Sequence, residues 1–127
     1  MSQSSNPLSA ATPWNMVADG YAETTMLMLA QYAEEATIAS RLKAGATILD
    51  AACGTGALAL RLASEAGRVH GIDFSEAMLG NFRQSVERAG LKNIVIQHGD
   101  AKPGCLELTG SSNEFKNNWK EEWCLMR

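Results

Sequence analysis

Between residues 46 and 97, short apolar runs alternate with longer segments of helical periodicity. The apolar runs have the length and composition of buried strands, and the segments between them repeat apolar residues at helical spacing. This pattern predicts three strands and two helices in alternation, at residues 46–52, 57–66, 68–72, 76–89 and 93–97. Such alternation requires a parallel sheet with right-handed crossovers, so the predicted class is α/β, the first half of a doubly wound sheet.

The segment before this alternation has a different character. Residues 1–13 are rich in Ser, Asn, Ala and Thr, which predicts a disordered N-terminus. Residues 14–16 could form a short helical turn. A longer helix is predicted over residues 22–42, because this stretch has good helix formers and neither Gly nor Pro, and Gly45 ends it.

Three carboxylates and a glycine turn are predicted to meet at one edge of the sheet. Asp50 lies near the end of the first strand, Asp73 follows the second and Asp100 follows the third. Gly54 and Gly56 let the backbone bend sharply after strand one and let a ligand approach without a Cβ in the way. Ligands of doubly wound sheets bind beyond the carboxyl ends of the strands near the switch point, so this edge is the candidate site.

Two classes of ligand fit this edge. The series Gly54-x-Gly56-x-x-Ala59 matches a dinucleotide-binding fingerprint, and Asp73 follows Gly54 by about 20 residues, where a ribose-binding acid is expected. Asp50 counts against NAD, because its carboxylate would stand close to an anionic pyrophosphate in a partly desolvated site. A ligand with a cationic centre and no phosphate suits Asp50 better, and S-adenosylmethionine is such a ligand.

Three segments together resemble a known family. Residues 48–56 read ILDAACGTG, residues 69–78 read VHGIDFSEAM, and residues 97–101 read QHGDA. In this order and spacing they are similar to the cofactor motifs of class I S-adenosylmethionine-dependent methyltransferases. The resemblance covers residues 14–101 and implies a partial Rossmann-like domain with S-adenosylmethionine as cofactor. Residues 14–21 are similar to the lid segment of several small-molecule methyltransferases.

The resemblance assigns the methionine end of the cofactor to the first motif. Gly54 and Gly56 would line this end, and Asp50 would bind near it, through the amino group or a water molecule. Ala52 stands where the family usually has the first glycine of its loop, a position at which many members vary. No catalytic residue is assigned, and no metal site is predicted.

The adenosine end is assigned by the same resemblance to the other two motifs. Asp73 would accept hydrogen bonds from both ribose hydroxyls. Phe74 and Met78 would pack against the adenine. Asp100 would accept a hydrogen bond from the adenine amino group, and the backbone N–H of Ala101 would donate to a ring nitrogen.

The motif resemblance ends after residue 101, and residues 102–127 are interpreted as a short divergent tail. Residues 106–108 could form a minimal strand, and residues 114–126 repeat aromatic and apolar residues at helical spacing, which predicts an amphipathic helix. The later strands of a complete methyltransferase have no counterpart in this pattern. We therefore expect a truncated domain whose first strand lies at an exposed sheet edge, through which chains could self-associate.

The net charge and the length of the apolar runs narrow the classes of partner that the chain can have. The chain of 127 residues has a net charge of −3, which argues against a protein held to nucleic acid by positive charge. Its apolar runs fall short of the about 18 residues that span a bilayer, and its start lacks a secretory signal, so a cytoplasmic location without membrane attachment is expected. The predicted function is methyl transfer to a small-molecule acceptor by a chain that truncation could leave inactive. The alternatives are a non-catalytic cofactor-binding or interaction fragment and an NAD-linked oxidoreductase fragment.

Overall fold

The computed structural model describes residues 6–102, 105–108 and 125–126. Its elements follow the predicted alternation and add strands at the C-terminal side. In chain order they are a 3-10 helix at Pro7–Ser9, α1 at Ala11–Ser40, β1 at Thr47–Ala51, α2 at Ala57–Leu62, β2 at Arg68–Asp73, α3 at Glu76–Ala89, β3 at Ile94–Lys102, β4 at Cys105–Leu108 and β5 at Leu125–Met126. The predicted α/β class is confirmed.

The strands form one sheet in the order β4-β3-β2-β1-β5. Strands β1, β2 and β3 are parallel, with Asp50 opposite Gly71 and Asp73 opposite His98. The chain moves outward from β1 to β3 and later returns to the other side of β1, where β5 runs parallel to it. The strand order therefore reverses at β1, and the carboxyl end of β1 is the place where a doubly wound sheet binds its ligand.

One face of the sheet and the helices α2 and α3 enclose the core. The buried cluster joins strand residues to helix residues, and its fully enclosed members are Ile48, Ala59, Leu62, Val69, Leu79 and Phe82. Each large apolar side chain buried in this way stabilises the fold by about 1.5–3 kcal/mol. The packing of α2 and α3 on the sheet fixes the loops between the strands and the helices, and these loops carry the candidate site.

The ring of Phe82 lies between two glycines. A Cβ at Gly56 would be 2.1 Å from Cδ2 of Phe82, and a Cβ at Gly71 would be 2.7 Å from Cε1 of the same ring. Neither distance is compatible with a side chain at these positions. Gly56 also has a φ of +87°, so both its backbone conformation and its contact with α3 require glycine.

The N-terminal part of the chain differs from the prediction. Helix α1 begins at Ala11 and not at residue 22, and the segment before it contains a 3-10 helix where the sequence predicts disorder. Pro13 fits this earlier start, because the first turn of a helix contains N–H groups without an intrahelical acceptor. The helix ends at Ser40, and the next residue, Arg41, has a left-handed φ of 47° and a backbone N–H that donates to the carbonyl of Ile38. None of the helices that the structure describes is both long enough and apolar enough to cross a membrane.

The C-terminal part also differs from the prediction. The minimal strand expected over residues 106–108 is present as β4, which begins one residue earlier and pairs antiparallel with β3. The helix predicted over residues 114–126 is wrong at its end, because Leu125 and Met126 form β5; residues 109–124 lie outside the described part of the chain. The expected open edge at β1 is also wrong over two residues, since Leu49 and Asp50 pair with β5.

Candidate functional site

The loop from β1 to α2 is a tight turn with three residues in left-handed conformations. Ala52, Gly54 and Gly56 have φ values of 60°, 55° and 87°. The N–H of Gly56 donates to the carbonyl of Cys53 at 2.9 Å, which closes the turn, and the N–H of Cys53 donates to Ile72 at 3.0 Å, which ties it to β2. An ideal Cβ at Gly54 would meet no atom within 4 Å, so the space in front of Gly54 is open.

Asp73 ends β2 and connects this loop to the start of α3. One carboxylate oxygen accepts a hydrogen bond from the N–H of Gly54 and the other from the N–H of Ser75, both at 2.8 Å. The side chain is 6% exposed. Each carboxylate oxygen has a second lone-pair site, so Asp73 keeps the capacity to accept hydrogen bonds from a ligand.

A cavity of about 300 Å³ lies in front of this carboxylate. Its lining combines the loop after β1, the start of α3 and the N-terminal part of the chain, in the residues Leu8, Trp14, Tyr21, Ala52, Gly54, Asp73, Phe74 and Met78. Apolar side chains form most of these walls, and among the described lining residues Asp73 supplies the one carboxylate. Such a cavity suits a flat, partly apolar ligand that carries hydroxyl donors.

Asp50 is a second carboxylate, buried behind the loop. It is 5% exposed, and its Oδ2 has no hydrogen-bond partner. Burial, together with the nearby charge of Asp73, raises the pKa of Asp50 to about 7, although the backbone N–H of Ala59 acts to lower it. An unsatisfied carboxylate oxygen in a buried position is a strong acceptor for a cation or a hydrogen-bond donor.

Cys53 is a buried residue of the same loop, and the charges of both carboxylates act on its thiol. Its side chain is buried, and a Cβ at Gly71 would be 3.1 Å from its sulfur. Burial, followed by the negative charges of Asp50 and Asp73, raises the pKa of the Cys53 thiol. The thiol therefore stays protonated, and it fills space beneath the loop.

Comparison with known proteins now decides the family. The family model described as a methyltransferase domain matches residues 48–116, which is more than half of the chain. The chain belongs to the methyltransferase domain family. The predicted resemblance to class I S-adenosylmethionine-dependent methyltransferases is confirmed. The matched range contains the loop after β1, Asp73 and the first turn of α3, and it continues into residues 102–116.

Two relatives show how much of a methyltransferase is represented here. The demethylmenaquinone methyltransferase of Listeria welshimeri is 38% identical over 78 residues, which cover 59% of this chain and 31% of that protein. The demethylmenaquinone methyltransferase of Bacillus mycoides is 40% identical over 77 residues, which cover 58% of this chain and 31% of that protein. The chain thus spans about a third of the length of the curated relatives it matches.

Solved structures agree on the fold. A dimethyladenosine transferase from Plasmodium falciparum superposes with a TM-score of 0.54 at 25% identity, over 61% of this chain and 29% of that one. A precorrin 8w decarboxylase from Methanobacterium thermoautotrophicum superposes with a TM-score of 0.53 at 26% identity, over 56% of this chain and 39% of that one. The methyltransferase domain described here therefore has the fold of about a third of each of these larger proteins.

The methyltransferase domain brings five of the predicted site residues together at the cavity: Ala52, Gly54, Asp73, Phe74 and Met78. Three other predicted site residues that the structure describes do not line this cavity: Asp50, Gly56 and Asp100. Asp50 is buried behind it, and Gly56 faces Phe82.

Asp100 and Ala101 do not lie where the sequence predicts them. They lie within β3 and not after it, because β3 continues to Lys102. Their positions are opposite Glu107 and Leu106 of the antiparallel strand β4. Their proposed contacts with adenine stay a prediction.

Two features of the site were not predicted as such. Leu8 lines the cavity although the sequence around it predicts disorder, and the indole N–H of Trp14 donates to the carbonyl of Leu8 at 2.9 Å. Asn15, beside Trp14, accepts a hydrogen bond from Ser75 of the second motif. The one signal in the sequence was the similarity of residues 14–21 to a lid segment, and this segment does place Trp14 and Tyr21 at the cavity. Within the described residues, no group of His, Cys, Asp and Glu side chains could hold a metal ion.

Proposed function

We propose that this domain binds S-adenosylmethionine in the cavity between α1 and the carboxyl ends of β1 and β2, and that the protein transfers its methyl group to a small-molecule acceptor. The observation that carries the proposal is the carboxylate of Asp73. Two backbone N–H groups fix its orientation, and it faces a cavity of about 300 Å³ at the switch point of the sheet.

The adenosine part of the cofactor fits the walls around Asp73. The free lone-pair sites of its carboxylate would accept hydrogen bonds from the two ribose hydroxyls, which are donors a carboxylate can bind in pairs. Phe74 and Met78 line the same cavity and would pack on the faces of the adenine ring. Asp100 and the backbone of Ala101 remain the proposed partners of the adenine edge.

The methionine part fits the loop after β1. The open space at Gly54 lets a ligand approach the backbone closely, and the ionised form of Asp50 would favour a cationic ligand nearby. Bound S-adenosylmethionine would supply a methyl group activated by its positively charged sulfur. The contribution of the residues described here is to bind and orient this group, which accounts for a large part of the acceleration in two-substrate reactions.

The dinucleotide alternative receives less support. In a dinucleotide-binding domain the pyrophosphate lies at the N-terminus of the helix after the glycine turn. Here the N–H of Ala59, in the first turn of α2, acts on the Asp50 carboxyl group and lowers its pKa. An anionic pyrophosphate at this place would lie near Asp50 and would be repelled by its ionised form.

The acceptor class rests on the relatives and on charge. The two relatives described above are named demethylmenaquinone methyltransferases, and this chain has a net charge of −3, which does not favour nucleic acid. A small organic acceptor is therefore proposed.

The non-catalytic alternative predicts the same cofactor binding without methyl transfer. Self-association through a sheet edge stays a prediction, and the pairing of β5 with β1 leaves less free edge for it.

Calorimetric titration with S-adenosylmethionine, S-adenosylhomocysteine and NADH tests the proposal. We expect binding of the first two ligands and none of NADH. The variant Asp73→Asn should bind at least about tenfold more weakly, because charged hydrogen bonds to a ligand contribute about 1.5–3 kcal/mol each.

The matched control is Glu87→Gln, which makes the same chemical change at an exposed position of α3. It should bind S-adenosylmethionine and S-adenosylhomocysteine with the affinity of the unmodified chain. Circular dichroism of each variant establishes that it is folded. A folded chain that binds neither adenosyl ligand would overturn the proposal, and binding of NADH alone would favour the dinucleotide alternative.

A further inference from the structure

The N-terminal part of α1 is attached to the start of α3 through Asn15. Its side-chain oxygen Oδ1 accepts a hydrogen bond from the hydroxyl of Ser75 at 2.7 Å and a second from the backbone N–H of Ala77 at 3.3 Å. The Ser75 hydroxyl in turn accepts from the N–H of Met78 at 3.2 Å. Two of the N–H groups that α3 cannot satisfy internally are thus bound, one by its own cap and one by a different helix.

A second contact lies one helical turn further along both helices. The side-chain amide of Asn81 donates to Asp19 at 3.1 Å. Asp19 follows Asn15 by four residues, and Asn81 follows Ala77 by four, so both contacts lie on facing stripes of α1 and α3. We refer to Asn15 and Asp19, with their partners Ser75, Ala77 and Asn81, as the α1–α3 clasp.

The clasp is next to the candidate site on both sides. On α1, Trp14 precedes Asn15, and Trp14 and Tyr21 both line the cavity. On the other side, the N–H of Ser75 donates to Asp73, whose second oxygen is bound by Gly54. A single chain of hydrogen bonds therefore runs from α1 through Ser75 and Asp73 to the glycine turn.

We propose that Asn15 is a positioning residue that holds the N-terminal part of α1 over the cavity and thereby slows release of the bound cofactor. This inference rests on the proposed function, since it concerns the same cavity. Leu8, Trp14 and Tyr21 contribute part of the cavity wall only while α1 is held in place. If α1 moves away from α3, a ligand loses these contacts and becomes accessible to solvent. Asn15 does not line the cavity among the described side chains, so its effect on the ligand is indirect.

The test compares the dissociation rate of S-adenosylhomocysteine for the unmodified chain and four variants, by stopped-flow fluorescence together with calorimetric affinity. Asn15→Ala removes both acceptor contacts and should raise the dissociation constant about fivefold, the effect expected for one neutral hydrogen bond, mainly through faster release. Asn15→Asp keeps an oxygen acceptor for Ser75 and Ala77 and should restore the original rate. Asp19→Ala weakens the clasp without removing the cap of α3 and should speed release in the same direction. The control Gln31→Ala truncates an amide at an exposed position of α1 and should leave release unchanged.

The outcomes separate the two proposals. Suppose that the unmodified chain binds S-adenosylhomocysteine, and that Asn15→Ala and Asp19→Ala both release it as slowly as the unmodified chain does. The positioning role of Asn15 is then wrong, while the proposed function stands. If the folded, unmodified chain binds no S-adenosylhomocysteine, the proposed function fails and the role of the clasp fails with it. Should Asn15→Ala fail to fold, Asp19→Ala decides the question, because the cap of α3 by Ser75 and Asn15 is intact in that variant.

Discussion

Asp73 and Gly54 are joined by a hydrogen bond of 2.8 Å between the carboxylate of one and the backbone N–H of the other. The bond connects the end of β2 to the turn after β1, so the residue proposed to bind ribose also fixes the loop proposed to bind methionine. The orientation of Asp73 is completed by the N–H of Ser75. We therefore expect stability and ligand binding to be coupled at this carboxylate.

The first prediction concerns the stability of Asp73→Asn in the absence of ligand. The neutral amide offers one acceptor oxygen in place of two, so either Gly54 or Ser75 loses its partner. An unsatisfied buried N–H should lower the free energy of unfolding by about 1–3 kcal/mol, measured by urea denaturation. Glu87→Gln, at an exposed position, should change it by less than about 0.5 kcal/mol. Equal stability of the two variants would show that Asp73 is not needed to order the loop.

The second prediction separates the two glycines of the turn. Gly56→Ala places a methyl group against the ring of Phe82 and should lower the free energy of unfolding by about 2 kcal/mol or more. Gly54→Ala meets open space and should cost about 1 kcal/mol through its left-handed backbone, but it should weaken adenosyl-ligand binding. Thermal denaturation and calorimetric titration measure the two effects. The prediction is wrong if Gly54→Ala proves the more destabilising change.

The third prediction concerns Ala52, which adopts a φ of 60°. A residue with a Cβ is strained by about 1–2 kcal/mol in this region, whereas glycine adopts it freely. Ala52→Gly should therefore keep or raise stability, by up to about 1 kcal/mol after the greater freedom of the unfolded glycine is counted. The control Ala30→Gly, at an exposed position inside α1, should lower stability by about 1 kcal/mol. A loss of similar size in both variants would contradict a strained conformation at Ala52.

The fourth prediction concerns pH. The pKa of Asp50 is raised from 3.8 to about 7 in the folded chain, so between about pH 4 and pH 7 the folded state binds a proton that the unfolded state has lost. The stability contribution of Asp50 is therefore fully present below pH 4 and is lost as the pH rises towards 7. Asp50→Asn removes this dependence.

The measurement is the difference in free energy of unfolding between Asp50→Asn and the unmodified chain from pH 4 to pH 8. The difference should grow in favour of the variant by roughly 1 kcal/mol per pH unit between about pH 5 and pH 7, and then level off. Burial lowers the pKa of His70, which acts in the opposite sense, but His70 is present in both chains and cancels in the difference. A difference that does not change with pH would show that Asp50 ionises normally.

The sequence was sufficient wherever the decisive signal is local. Helix α3 has the predicted bounds, because the Ser75 hydroxyl caps its start by accepting a hydrogen bond from the N–H of Met78, and Gly90 ends it in a left-handed conformation. The alternation of strands and helices was equally clear, and with it the placement of Asp50 and Asp73 at the carboxyl ends of neighbouring strands. Caps, glycine turns and apolar runs are properties of a few adjacent residues.

The structure differs from the prediction where contacts between residues distant in sequence determine the local structure. The first turns of α1 are held by Asn15 and Asp19 against α3, which no periodicity in residues 11–21 reveals. The length of β3, and with it the position of Asp100, depends on pairing with β4. Gly56 was expected to face a ligand, and the space in front of it is taken by Phe82 of α3.

The pairing of β5 with β1 has a consequence for how the domain folds. Strands β1, β2 and β3 follow one another through single helices, so each pairing closes a modest loop. Leu49 and Leu125 meet only after most of the chain has been traversed, and their strands share two residue pairs. Closing a long loop for so little contact is entropically slow, so β5 should join the sheet after β1, β2 and β3 have formed. Substitutions at Leu125 should then change the unfolding rate and leave the refolding rate almost untouched.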